Sequence, residues 1–145
     1  MFLSIRNLAF ATALSAALVP AAIAGGASAR VEGPSKDGLF YTVRTYACAN
    51  PAALHVTAWA EGVVAGKRRT LPLTLKRTRD QGVYYFQRNW PAQGQWLVRL
   101  DLGGGRAPTS LATIATDGRV QDNKLIWDGD AKRECEALLA GNESH

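Results

Sequence analysis

The stretch from Gly82 to Leu102 constrains the chain more than any other. Val83-Tyr84-Tyr85-Phe86 and Trp96-Leu97-Val98-Arg99-Leu100-Asp101-Leu102 flank the short connection Trp90-Pro91-Ala92-Gln93-Gly94. Aromatic and β-branched residues of this density favour strands, and a Pro/Gly connection between two such runs predicts a β-hairpin. Pro91 presets φ for the first corner, and Gly94 can take the positive φ that closes a longer loop. A lone hairpin is marginal in water, so it must pack on a second layer.

The rest of the chain supplies strands for that layer. Arg30 to Gly38, with Gly33 and Pro34, reads as an irregular entry segment. In Leu39–Cys48, Tyr41, Val43 and Thr45 share one face, and Asn50-Pro51 ends the run. Leu54–Glu61 alternates, with Leu54, Val56, Ala58 and Ala60 facing one way and His55, Thr57, Trp59 and Glu61 the other. Gly62–Gly66 breaks that run. Leu71, Leu73 and Leu75 then face inward from a strand that Pro72 assigns to an edge. Within the second arm of the hairpin, Trp96, Val98, Leu100 and Leu102 form the inward set. Thr109–Thr116 is a sixth strand, and a seventh lies within Arg119–Trp127. From Asp130, a capping residue, apolar positions Ala131, Cys135, Leu138 and Leu139 recur at helical spacing, predicting a helix over about 130–140. Short strands separated by frequent turn signals predict a β-sandwich or barrel.

The chain opens with Arg6, an apolar stretch from Leu8 to Ile23, and small residues at Ala22-Ile23-Ala24 and Ala27-Ser28-Ala29. These are the parts of a secretory signal peptide, predicted over 1–29 with 24 as the alternative end. No lipoprotein cysteine and no twin arginine accompany it, and no further apolar run reaches the roughly 20 residues of a spanning helix. A single domain over 30–145 is therefore expected in the periplasm or outside the cell. In an oxidising compartment the only two cysteines, Cys48 and Cys135, read as a disulfide tethering the helix to the sheet. The formal net charge is +5, with Arg6 in the leader, which is far from the basic stripe of a nucleic-acid binder.

Chemistry is sparsely provided. His55 and His145 are the only histidines and Met1 the only methionine, too few soft ligands for copper or zinc, and no cofactor motif is present. There is no Gly-x-Ser-x-Gly elbow, and Glu61, Asp80 and Asp101 stand isolated with nothing selecting a catalytic pair. Two features point to binding. Lys67, Arg68, Arg69, Lys76, Arg77 and Arg79 face only Asp80 between residues 67 and 80, a group able to meet an anionic polysaccharide or lipid surface. The same group also suits a charged edge strand that blocks aggregation. The second feature is an aromatic set, Trp59, Tyr84 and Trp90 with Tyr46, Tyr85 and Trp127, that offers an exposed platform for sugars or peptides.

The run Trp90-Pro91-Ala92-Gln93-Gly94-Gln95-Trp96-Leu97-Val98-Arg99-Leu100 resembles the Trp-Pro-x-x-Gly-x-Trp hairpin of small exported bacterial domains of the YtkA-like and FixH-like kind. That resemblance implies an immunoglobulin-like antiparallel β-sandwich of about seven strands, here with a short C-terminal helix. The chain departs from the copper-binding relatives by lacking their His/Met ligand set. The expectation is an exported, non-catalytic binding or accessory domain of the bacterial envelope, with an envelope protein or an anionic envelope component as partner. The alternatives are a small hydrolase using loop carboxylates and a metal-handling accessory protein.

Overall fold

A computed structural model describes residues 26–47, 50–103, 108–127 and 130–141. Among these residues nine strands form two antiparallel sheets, and one helix follows them. The strands are β1 Ser28–Glu32, β2 Phe40–Tyr46, β3 Val56–Val64, β4 Lys67–Leu73, β5 Lys76–Arg77, β6 Val83–Gln87, β7 Gln95–Leu102, β8 Thr109–Ile114 and β9 Val120–Ile126. A 3-10 turn, Pro51–Ala53, precedes β3, and helix α1 spans Ala131–Gly141. The four-stranded sheet has the order β1-β2-β6-β5 and the five-stranded sheet the order β4-β3-β7-β8-β9. Apolar residues of both sheets form one buried cluster between them, so the architecture is an all-β sandwich.

The two arms of the predicted hairpin are strands, but they do not pair. β6 bonds to β2 and β5, whereas β7 bonds to β3 and β8, so Trp90–Gly94 carries the chain from one sheet to the other. The reason lies in the tryptophans, which prefer the space between the sheets to a cross-strand position. Trp90 stacks on Trp96 at 6.1 Å and also meets Tyr41 and Phe86. Trp96 donates its indole N–H to the Gln93 carbonyl at 2.9 Å, which fixes the crossover. Gly94 takes φ 87° beneath the Val63 carbonyl, where a Cβ would approach to 2.4 Å.

Gly62 does not break β3. It sits opposite Trp96 in the register, and a Cβ there would come within 2.3 Å of the indole, so the glycine makes room for the ring. The turn falls later, at Ala65-Gly66, both with positive φ, as a two-residue hairpin between Val64 and Lys67 requires. Alternation along the strands is as expected: Tyr41, Val43, Thr45, Trp96, Val98, Leu100 and Leu102 are all buried.

The entry segment was expected to be irregular, yet Ser28–Glu32 is a strand. Ala29 and Val31 face the core, and Ala27 is buried just before them. Alanine and a five-residue run give alternation too faint to read alone; pairing with β2 from Ser28↔Tyr46 to Glu32↔Thr42 supplies the order. Side chains from the other sheet close this side of the sandwich. Val31 N–H donates to Asn123 Oδ1 at 2.7 Å, Asn123 Nδ2 donates to the Val31 carbonyl at 3.0 Å, and Ala29 N–H donates to Ser110 Oγ.

Candidate functional site: a charged groove under the C-terminal helix

The outer face of the five-stranded sheet carries the unusual chemistry. By register and alternation it presents Trp59, Glu61 and Val63 from β3, Arg68 and Thr70 from β4, Leu97, Arg99 and Asp101 from β7, and Leu111 from β8. Leu97, Leu111, Cys135 and Leu139 form a second buried cluster, joined by Val63, Ile126 and Leu138. Helix α1 docks through that cluster, since an 11-residue helix needs tertiary packing to persist. Asp130 serves its first turn: its carbonyl accepts from Glu134 N–H, and its carboxylate pairs with Arg133 at 2.8 Å. Lys124 of β9 pairs with Glu134, a further tie between sheet and helix.

Beside the docked helix lies an ion network centred on one buried carboxylate. Glu61 is only 4% exposed. Its Oε1 accepts from Arg99 Nη1 at 2.6 Å and its Oε2 accepts from the Thr70 hydroxyl at 2.9 Å, with Arg68 Nη2 3.8 Å away. Asp101 Oδ2 lies 3.3 Å from Arg99 Nε, close enough for an ion pair although the angle makes no hydrogen bond. The guanidinium of Arg99 also covers the Trp59 ring at 5.7 Å. Glu61 and Asp101, isolated in the sequence, are thus bridged by one arginine. Where α1 leaves the sheet, a groove of about 570 Å³ opens, with Glu61, Thr70 and Arg99 below, Arg68 on the strand side, and Lys132, Cys135 and Glu136 on the helix side.

Cys135, expected to bond to Cys48, is a free thiol in this cluster. Cys135 packs on the outer face of the five-stranded sheet, against Leu97 and Leu111. Cys48 itself lies outside the described residues. Burial, reinforced by the nearby Glu61 carboxylate, pushes the Cys135 thiol up to about 11.

Two members of the expected aromatic platform are not exposed. Trp90 and Tyr84 are core residues, and Trp59 is half-buried beneath Arg99, because inter-sheet packing and cation–π contacts absorb these rings. Arg77 lies over the Tyr84 ring at 5.9 Å. Among the described residues the large exposed apolar side chains are Leu39, Phe40, Tyr46 and Trp127, the last two being members of the expected set. The six cations divide between the sheets, with Lys67, Arg68 and Arg69 on edge strand β4 and Lys76 and Arg77 on edge strand β5, followed by Arg79. Because β1 lies against β9, both edges fall on the opposite side of the sandwich. Among the described residues only Arg68 of the six has an ion-pair partner.

His55 is exposed, and among the described residues no three His, Cys, Asp or Glu side chains gather as a metal site would require. Among the same residues no helix is long and apolar enough to cross a membrane. Sequence reading missed Glu61, Thr70, Arg99 and Lys132 as neighbours. One signal was available: Leu97 and Leu111 are apolar on the outward face, which implies that something covers them. Comparison with protein-family models, curated proteins and solved structures gives no match.

Proposed function

We propose that this chain is an exported, non-catalytic binding domain of the bacterial envelope that holds an anionic envelope polysaccharide on the side where β4 and β5 end the two sheets. The observation that carries the reading is the concentration of exposed cations there, five of the six without an ion-pair partner among the described residues. Protection against edge pairing is a weaker account, because β4 already has a guard. Pro72 lacks a donor, and its carbonyl is taken by Asn89 Nδ2 at 2.8 Å. In favour of a non-catalytic role, both Glu61 oxygens are engaged, and the Cys135 thiol is buried and hard to ionise.

An immunoglobulin-like fold belongs to the same proposal. The order β1-β2-β6-β5 against β4-β3-β7-β8 follows the ABED and C′CFG pattern of that fold, with β9 and α1 added. Export rests on the basic and apolar leader, and β1 bears on where it is cut. A cut after Ala29 would remove Ser28 and Ala29 from their pairs with Tyr46 and Thr45, so the proposed cut follows Ala24. N-terminal sequencing of the exported protein should read Gly25; Arg30 would refute that placement.

The function is tested by passing the exported domain over an immobilised anionic polysaccharide. The protein should be retained at low salt and released by NaCl, since exposed charges are screened as the Debye length falls to about 8 Å at 0.15 M. The variant combining Arg68→Ser, Arg69→Ser, Arg77→Ser and Arg79→Ser should flow through while melting as the parent does. Retention of that variant would return the cations to edge protection alone.

A further inference from the structure

We infer that the groove beneath α1 is the subsite for one glycuronate, a carboxylated sugar unit of the anionic polysaccharide, an inference that rests on the reading above. The groove, about 570 Å³, falls within the roughly 300–1,000 Å³ typical of small-molecule sites. Apart from Cys135 its lining residues are polar or charged, and their aliphatic stems add apolar surface beside donors and acceptors, a mixture that suits the faces and hydroxyls of a sugar ring. Arg99 is already committed to Glu61, and Lys132 and Glu136, four residues apart on α1, offer one charge of each sign to the groove. Arg68, held only loosely at 3.8 Å from Glu61, keeps its planar fork for a carboxylate. Thr70 and Glu136 remain as partners for ring hydroxyls. Arg99 is shared by Glu61 and Asp101, so Arg68 and Lys132 beside Glu136 are the charges left to meet a singly charged unit. A phosphate monoester, at about −1.5 to −2 at neutral pH, carries more charge than Arg68 and Lys132 beside Glu136 balance.

The test is isothermal titration of the domain with a galacturonate trimer, its methyl-esterified form and a sulfated trimer of the same length. The free-acid trimer should bind, and esterification or replacement of carboxylate by sulfate should weaken it at least tenfold. Lys132→Glu, an exposed helix substitution that leaves packing untouched, should also weaken the free acid at least tenfold, with an unchanged melting curve. Equal binding of the esterified trimer, or wild-type affinity in Lys132→Glu, overturns the subsite. Should Lys132→Glu bind normally while the Arg69→Ser, Arg77→Ser, Arg79→Ser variant loses the ligand, the subsite is wrong and the cationic side stands. If neither variant changes the affinity, both ideas fall.

Discussion

The two faces of the five-stranded sheet are buried by different means. The inner face meets another sheet, and Ala58, Ala60, Trp96, Val98, Leu100, Leu102, Ala112 and Ile114 pack there in one apolar layer. On the outer face the cover is a single 11-residue helix, which shields Leu97 and Leu111 but leaves Glu61, Thr70 and Arg99 half under its edge. A sheet covers a sheet evenly; a helix covers a stripe. Charges at the margin of that stripe lose much of their water and must pair with one another, which produces both the ion network and the groove.

The contrast is sharpest in the cost of truncation. Trp96→Ala should destabilise by about 3–5 kcal/mol, from lost transfer energy plus a cavity between the sheets, in a domain with roughly 5–15 kcal/mol in all. Urea denaturation measures it, and a loss below about 1 kcal/mol would deny the inner face its leading role. Glu61→Ala comes next, at roughly 2–3 kcal/mol. Removing one partner of a fully buried pair costs about 3–5 kcal/mol, but the Arg99 side chain is 25% exposed and can recover water. A Glu61→Ala loss as large as that of Trp96→Ala would erase the difference between the faces.

Alkaline pH should act through the outer face. Cys135 has an ordinary value of 9.0 and is raised to about 11 in the fold, so the folded state favours the neutral thiol. That preference stabilises fully below pH 9 and is lost as pH rises from 9 to about 11, a loss on the order of 2 kcal/mol. Burial also raises Tyr41, whose hydroxyl donates to the Gly118 carbonyl at 2.6 Å, so the decline continues above pH 10. Denaturation at a series of pH values should show a shallower slope between 9 and 11 in Cys135→Ala; an identical slope would contradict the buried thiol. The smallest effect belongs to the rim. Each serine replacement of Arg68, Arg69, Arg77 or Arg79 should change stability by less than about 1 kcal/mol, and a larger loss would make those cations structural.

The local pattern of residues determined a good part of this molecule. Period-two alternation identified the inward sets of β2, β3 and β7, because a strand whose faces differ in polarity can be oriented without knowing its neighbours. Helical spacing and Asp130 located α1 for the same reason. Pairing lay beyond that reach. Whether the Tyr84–Phe86 and Trp96–Leu102 runs join each other or separate sheets depends on where Trp90 and Trp96 find room, a question about distant residues. The same is true of β1, whose Ala29 and Val31 become a strand only against β2, and of Gly62, whose missing Cβ matters only once Trp96 lies over it. The groove was decided entirely by tertiary structure. Nothing local says on which face α1 will land, and that choice buried Glu61 and Cys135 and brought Arg68, Arg99 and Lys132 around one opening.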